Sequence, residues 1–271
     1  ASLPEATFDT VFARARDELQ RFEGIEPVEP PDGFKGKLRQ YQSEGVGWLH
    51  FLQRFGFGGC LADDMGLGKT VQVLAALESR RANRRDSGEK VRPSLLVVPR
   101  SLVFNWKQEA ARFTPNLRIL DHTGTGRTSD GSSFDSYDVV ITTYGTLRRD
   151  VLHLKDVLFD YIILDEAQAI KNASTESAKA ARLLRGQHRL ALSGTPIENH
   201  LGELWSLFEF LNPGLLGTSS VFRFTDSGAR NPDLETRALL SKALKPFILR
   251  RTKGQVAKDL PEKLEQTLFC E

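Results

Sequence analysis

The chain has 271 residues, and its 37 lysines and arginines nearly balance its 35 aspartates and glutamates, which leaves a net charge of +2. A hydrophobic content of 40% with so little net charge excludes intrinsic disorder, and the charge balance excludes a basic coat over the whole surface. Two cysteines give no disulfide framework and no apolar stretch is long enough to span a membrane, so we expect an intracellular protein in a reducing compartment.

The first part of the chain predicts a helix followed by a linker. Apolar residues recur at helical spacing within residues 4–23, and Pro27, Pro30 and Gly33 then end any regular element. We therefore expect an N-terminal helix and linker over residues 1–37.

Over residues 38–211, short apolar runs alternate with amphipathic stretches. The apolar runs predict strands at residues 59–62, 94–98, 117–120, 138–142, 161–164 and 188–192. The amphipathic stretches predict helices at residues 70–77, 102–113 and 175–184. This alternation predicts an α/β fold with a mostly parallel central sheet that is covered by helices on both faces.

Three segments depart from this alternation. Residues 80–92 hold six lysines and arginines against two acidic residues, which is typical of a solvated loop, with a nucleic-acid contact as the alternative. Residues 212–245 lose the rhythm of strands and helices and predict a helical protrusion or insert. Residues 246–271 predict a segment leading out of the core. Its Arg250 and Arg251 lie far along the chain from the glycine-rich segment at residues 63–70.

The strongest chemical signal is the sequence DDMGLGKT at residues 63–70, between a predicted strand and a predicted helix. Glycines let backbone N–H groups approach phosphates closely, and the amino end of a helix favours negative charge. Lys69 would reach the β- and γ-phosphates of a nucleotide, and the Thr70 hydroxyl would hold Mg²⁺. Asp63 stands where the full phosphate-loop pattern has its first glycine. The candidate ATP-binding residues here are Asp64, Met65, Gly66, Leu67, Gly68, Lys69 and Thr70.

Asp165 and Glu166 follow the apolar run at residues 161–164. A parallel sheet would place these carboxylates at its carboxyl edge, where open α/β folds bind ligands. On its own, such a pair is usually a solvated helix start. With a phosphate loop, Asp165 becomes a candidate Mg²⁺ ligand beside Thr70, and Glu166 becomes the candidate general base that polarises an attacking water. Lys69, Asp165 and Glu166 are thus the candidate catalytic residues.

Other polar segments also come at predicted strand ends. Each has an ordinary interpretation as a strand-to-helix turn. Trp106 is typical of a core residue on an amphipathic helix, with a nucleic-acid platform as the alternative. The segments are Pro99–Ser101, Thr142–Tyr144 and Ser193–Pro196.

In chain order, these segments resemble the first RecA-like motor lobe of superfamily-two helicases, and that of Swi/Snf-type ATPases most closely. The sequence LRQYQ at residues 38–42 looks like the adenine-reading Q motif of that family, which adds Gln42 to the candidate ATP-binding residues. Residues 63–70, 96–99 with Asn105 and Trp106, 142–144, 165–168 and 193–195 are similar to motifs I, Ia, Ib, II and III. Residues 203–207, 212–217, 246–251 and 259–263 are similar to later segments of the family, so the resemblance covers about residues 36–271.

The resemblance implies a RecA-like P-loop fold with ATP and Mg²⁺ as cofactors, acting on double-stranded DNA and on DNA-bound protein targets. It implies DNA contacts through Arg100, Ser101, Thr142, Thr143 and Tyr144. It implies that Gln168, Ser193 and Thr195 couple hydrolysis to movement, although many relatives carry histidine where this chain has Gln168. It also implies a second RecA-like lobe beyond Glu271, which supplies the arginines that complete the ATP site.

Two other classes of function stay open at the level of sequence. One is a non-catalytic binding module that uses ATP as a conformational ligand, and Asp165 with Glu166 argues against it. The other is a related motor that acts on RNA or single strands; Asn105, Trp106 and the sequence LRR at residues 249–251 favour the Swi/Snf type. The expected location is the cytoplasm or nucleoid of a prokaryote, or the nucleus of a eukaryote.

Overall fold

The computed structural model describes residues 26–88, 92–124, 126–127, 131–194, 201–216 and 243–256. Seven strands form one sheet in the order β3-β4-β2-β5-β6-β1-β7, and every pair of neighbours is parallel. The strands are β1 (Gly59–Leu61), β2 (Ser94–Val98), β3 (Ile119–Asp121), β4 (Val139–Thr143), β5 (Leu158–Leu164), β6 (Arg185–Leu192) and β7 (Ile248–Leu249).

Six α-helices of the described residues flank this sheet. They are α1 (Gln40–Arg54), α2 (Lys69–Ser87), α3 (Val103–Phe113), α4 (Tyr144–Leu154), α5 (Glu176–Leu183) and α6 (Leu201–Leu211). No helix of the described part of the chain is both long and apolar enough to cross a membrane.

Alternate residues of the central strands face two separate cores. Leu95 and Val97 of β2 point into the core that also holds residues of α4, α5 and α6. Leu96 and Val98 point into the opposite core, which α1, α2 and α3 complete. Because both faces are covered, the central strands read as continuous apolar runs, and this is the pattern from which they were predictable.

The predicted α/β class with a parallel central sheet is confirmed, and each of the six predicted strands corresponds to a strand of the sheet. β7 was not predicted, because two residues carry no periodicity. The prediction of a loop at residues 80–92 is wrong for its first half, since α2 continues to Ser87. Arg80 and Arg84, one helical turn apart, both pair with buried Asp160, which stabilises this extension.

Three other predictions fall wholly or partly outside the described residues. The predicted helix at residues 4–23 lies outside them, and residues 26–37 contain no regular helix or strand. Residues 217–242 of the predicted insert and residues 257–271 of the predicted exit segment also lie outside them.

Candidate active site

The parallel sheet brings the sequence-predicted site residues to one edge. β5, β6 and β1 are neighbours in the sheet, so the segments that follow them lie side by side. These segments are the phosphate loop at residues 63–68, the Asp165–Glu166 pair and Ser193–Gly194. Lys69 and Thr70 begin α2 directly after the loop. An edge formed by carboxyl ends of parallel strands is where α/β proteins bind nucleotides.

The phosphate loop depends on two glycines with positive φ. Gly66 has φ of 87°, and Gly68, which caps the amino end of α2, has φ of 77°. A Cβ on Gly68 would lie 2.5 Å from Gln42 Nε2, so a side chain there would force the Gln42 amide to shift. The loop therefore brings its backbone close to the amino end of a helix, as phosphate binding requires.

Gln42 supports this loop from α1. Its Nε2 donates to the Leu67 carbonyl at 3.3 Å, and its Oε1 accepts a hydrogen bond from the Arg39 backbone N–H at 2.9 Å. The side chain is buried, and it thus ties the start of α1 to the phosphate loop. The role in ATP binding that the sequence predicted for Gln42 remains a prediction.

Lys69 lies against its own loop. Its Nζ donates to the Asp63 carbonyl at 2.7 Å. A Cβ on Gly194, in the loop after β6, would lie 2.8 Å from Met65 Cγ and 3.8 Å from Lys69 Nζ. Ser193 and Gly194 thus lie next to the phosphate loop, and the other predicted coupling residue of this segment, Thr195, is outside the described residues.

Asp63 has a partner that the sequence did not reveal. Arg251 Nη2 lies 2.5 Å from Asp63 Oδ2, and the Arg251 backbone N–H and Nε both donate to Oδ1. Asp63 is fully buried, and Gln72 Nε2 also donates to it at 3.2 Å. Asp63, which stands in place of the first glycine of the phosphate-loop pattern, therefore anchors the segment that follows β7. Arg251 is far from the loop along the chain, as the sequence shows, but the fold brings it next to the start of the loop.

Asp165 is buried and held at both carboxylate oxygens. Trp106 Nε1 donates to Oδ2 at 2.7 Å, and the Glu166 backbone N–H donates to Oδ1 at 2.9 Å. Burial raises the pKa of Asp165, and these two hydrogen bonds oppose that increase. Tyr144 Oη donates to the Asp165 backbone carbonyl at 2.8 Å. The carboxylate is thus fixed in orientation before any ligand binds.

Glu166 has a strained backbone. Its φ of 50° and ψ of 56° place it in the left-handed region, and no other non-glycine among the described residues has a positive φ. Gln168 Nε2 donates to Glu166 Oε2 at 2.7 Å. Strain of this kind concentrates where function fixes a side chain, which supports a chemical role for Glu166.

Glu109 is a site residue that sequence reasoning missed. It lies on α3, next to Thr70 and Asn105, which favour its charged form, while burial raises its pKa overall. Its Oε2 is buried without a hydrogen-bond partner among the described residues. The only signal in the sequence was its spacing from Trp106, which places both residues on one face of α3.

These residues fit a Mg²⁺ ion bound together with a nucleotide. The described part of the chain contains no group of three or more His, Cys, Asp or Glu side chains that could hold a metal alone. Mg²⁺ usually takes one or two protein ligands together with substrate phosphates and water. The Asp165 carboxylate and the Thr70 hydroxyl, beside the phosphate loop, match that donor set.

The predicted DNA contacts differ in exposure. Arg100 and Ser101 are exposed in a short 3₁₀ helix after β2. Thr142 is buried and donates to the His122 carbonyl at 3.1 Å, and Thr143 caps α4. Tyr144 is half-buried and contacts Asp165. The DNA-binding role stays a prediction for all five residues.

A model of the SNF2-related domain matches residues 41–271 of this chain. A putative ATP-dependent helicase/translocase, YwqA of Bacillus subtilis (strain 168), is 44% identical over an alignment of 259 residues that covers 93% of this chain and 28% of that protein. The TATA-binding protein-associated factor MOT1 of Saccharomyces cerevisiae is 37% identical over an alignment of 283 residues, gaps included, that covers 95% of this chain and 15% of that protein. The chain thus spans less than a third of these curated relatives.

A solved structure shares the fold. The Sulfolobus solfataricus SWI2/SNF2 ATPase core in complex with dsDNA superimposes with a TM-score of 0.75 at 40% sequence identity. The alignment covers 89% of this chain and 49% of that one, so the chain corresponds to about half of a SWI2/SNF2 ATPase core.

Proposed function

Because the chain belongs to the SNF2-related family, we propose that it is the first, ATP-binding lobe of a motor that hydrolyses ATP and moves along double-stranded DNA. The main observation that supports this proposal is that three segments lie together at one edge of a parallel sheet: the phosphate loop, Asp165–Glu166 and Ser193–Gly194. That edge holds the side chains to which the proposal assigns phosphate binding, Mg²⁺ binding and proton transfer within one lobe.

The chemistry follows from the residues. Backbone N–H groups of the loop and the amino end of α2 bind the phosphates, and Lys69 leaves the Asp63 carbonyl to contact them. Thr70 and Asp165 would hold Mg²⁺, which when bound neutralises charge on the phosphates. Glu166 accepts a proton from the attacking water, and Gln168 holds the Glu166 carboxylate at 2.7 Å.

The DNA-binding part of the proposal rests on Arg100 and Ser101, which are exposed at the same edge of the sheet. Contacts of this type go to phosphates and carry no sequence information, as movement along DNA requires. MOT1 is a TATA-binding protein-associated factor by name, and this supports the proposal that the whole protein remodels DNA–protein complexes. Such a protein would work in a nucleoid or a nucleus.

The experiment is steady-state ATP hydrolysis by the full-length protein with duplex DNA, single-stranded DNA, RNA or no nucleic acid. We expect duplex DNA to stimulate most. Stimulation by RNA or single strands alone would favour the related helicase motors, and nucleotide binding without hydrolysis would favour the non-catalytic module.

Two variants test the assignment of residues. Glu166→Gln keeps size and hydrogen bonding, so it should bind Mg²⁺-ATP normally while turnover falls about a hundredfold or more. Lys69→Ala should weaken nucleotide binding about tenfold or more, because it removes a charge-assisted contact. Lys179→Ala is the matched control, since Lys179 pairs with Glu176 on the exposed face of α5. Normal turnover of Glu166→Gln would show that Glu166 is not the general base.

A further inference from the structure

Two side chains reach Asp165 from the segments beside which DNA would lie. Trp106 Nε1 donates to the Asp165 carboxylate at 2.7 Å, and Tyr144 Oη donates to the Asp165 carbonyl at 2.8 Å. Trp106 lies on α3, which directly follows the turn that exposes Arg100 and Ser101, and Tyr144 is the first residue of α4. One residue at the active site is therefore held through its side chain and its backbone by two different helices.

Trp106 is itself rigidly placed. It is 1% exposed and packs in the core formed by α1, α2 and α3 against the sheet. Its bond to Asp165 joins an N–H donor to a carboxylate in a buried setting, which makes it stronger than a neutral hydrogen bond. With Oδ1 already accepting from the Glu166 N–H, the Trp106 bond fixes the rotation of the carboxylate.

The same helix reaches the second candidate Mg²⁺ ligand. Glu109 lies one turn after Trp106 and contacts Thr70, and its electrostatic environment includes Asp165. One face of α3 thus contacts both Thr70 and Asp165. Residues that hydrogen bond to metal ligands orient those ligands, and their loss typically costs about 10–100-fold in metal affinity.

We propose that Trp106 and Tyr144 are positioning residues that hold Asp165 in the orientation in which it binds Mg²⁺. This inference rests on the proposed function, because it takes Asp165 as a ligand of the nucleotide-bound ion. For Trp106 this role is added to its confirmed position in the core. For Tyr144 it is a second role beside the DNA contact that the resemblance implied.

The test is ADP binding by the 271-residue chain, measured by calorimetry with Mg²⁺ and with EDTA. In the wild type, Mg²⁺ should tighten binding. In Trp106→Phe, the factor by which Mg²⁺ increases ADP affinity should be about tenfold smaller than in the wild type. Tyr144→Phe, which removes one hydroxyl and keeps the ring, should reduce this factor about threefold. Affinity in EDTA should be unchanged in both variants, since the hydrogen bonds that they remove go to Asp165 and not to the phosphate loop.

Trp48→Phe is the matched control. Trp48 is also buried, and its Nε1 donates to the Pro246 carbonyl at 2.9 Å, away from Asp165. In Trp48→Phe, Mg²⁺ should increase ADP affinity as much as in the wild type. If Trp48→Phe lost as much of this increase as Trp106→Phe, the loss would come from the missing indole volume, and the proposal would be overturned.

A spectroscopic measurement gives an independent readout. The indole N–H signal that disappears in Trp106→Phe should shift when Mg²⁺-ADP binds and stay in place with ADP in EDTA. An unshifted signal, or an unchanged Mg²⁺ gain in both variants, would overturn the positioning role while the proposed function stands. A wild-type chain whose ADP binding ignores Mg²⁺ would overturn the proposed function as well.

Discussion

At Gly68, a φ of 77° coincides with a close approach of Gln42 Nε2, 2.5 Å from the position of a Cβ. Gly68→Ala should therefore destabilise the fold and weaken Mg²⁺-ADP binding, because the residue keeps a left-handed φ and the Gln42 amide must shift and give up its hydrogen bond to the Leu67 carbonyl. Gly56→Ala is the matched control, since Gly56 has φ of 69° with nothing within 4 Å. The control should cost only the strain of a left-handed residue, about 1–2 kcal/mol. Urea unfolding and calorimetry measure the two effects, and equal losses in both variants would contradict the effect of the Gln42 contact.

The residues that sequence reasoning identified and those it missed differ in chain separation. Lys69, Asp165 and Glu166 belong to short segments whose residue types and order indicate phosphate chemistry by themselves. The Trp106–Asp165 bond spans 59 residues and the Arg251–Asp63 pair spans 188. In neither pair does the local sequence around one residue indicate its partner, so these contacts could be found only from the three-dimensional structure.

At the scale of elements, β7 depends on the ion pair that follows it. Arg251→Gln would leave the fully buried Asp63 carboxylate without its charged partner, so unfolding should become easier by about 3–5 kcal/mol. Arg118→Gln is the control, because Arg118 pairs with Asp138 while 54% exposed, and its loss should cost about 1 kcal/mol or less. Chemical denaturation of both variants measures the difference. Similar costs would mean that the Asp63 pair contributes no more than a surface pair.

His188, in the middle of β6, predicts a dependence of stability on pH. Burial and the neighbouring Arg80 and Arg84 lower the pKa of His188 from 6.5 to about 4. Between these values the unfolded chain binds a proton that the folded chain does not, so the free energy of unfolding should fall as pH drops from 6.5 toward 4.

His188→Gln removes this titration. From pH 7 to pH 5, the wild type should lose on the order of 1 kcal/mol more stability than the variant, after allowance for solvent screening. Urea unfolding at both pH values gives the comparison, in which the carboxylates common to both proteins cancel. Parallel losses would show that His188 titrates normally.

For the whole molecule, the chain corresponds to about half of a SWI2/SNF2 core. An arginine supplied to the transferred phosphate typically contributes about 10³–10⁵ in rate. Arg251 is close to the phosphate loop, but its guanidinium is bound to Asp63, Gln72 and the Tyr41 carbonyl. We therefore expect the 271-residue chain to bind ATP and hydrolyse it at least about a thousandfold more slowly than the DNA-stimulated full-length protein.

The comparison is steady-state hydrolysis by both proteins, each with and without duplex DNA, and DNA should hardly stimulate the shorter chain. Equal rates would show that one lobe suffices.

The alternation of strands and helices made the architecture predictable at this scale. The edge position of β7 was not, because a two-residue strand is defined by the pairing it makes with β1 and by the anchor at Asp63.

The pairing of β7 with β1 also sets an order of events during synthesis. Asp63 leaves the ribosome 188 residues before Arg251 does, and translation at about 5–20 residues per second makes that interval roughly 10–40 s. Throughout that time the strand that carries the phosphate loop has an open edge, which is a site for pairing with other chains. The edge of β1 that β7 covers is thus among the last parts of this sheet to be completed.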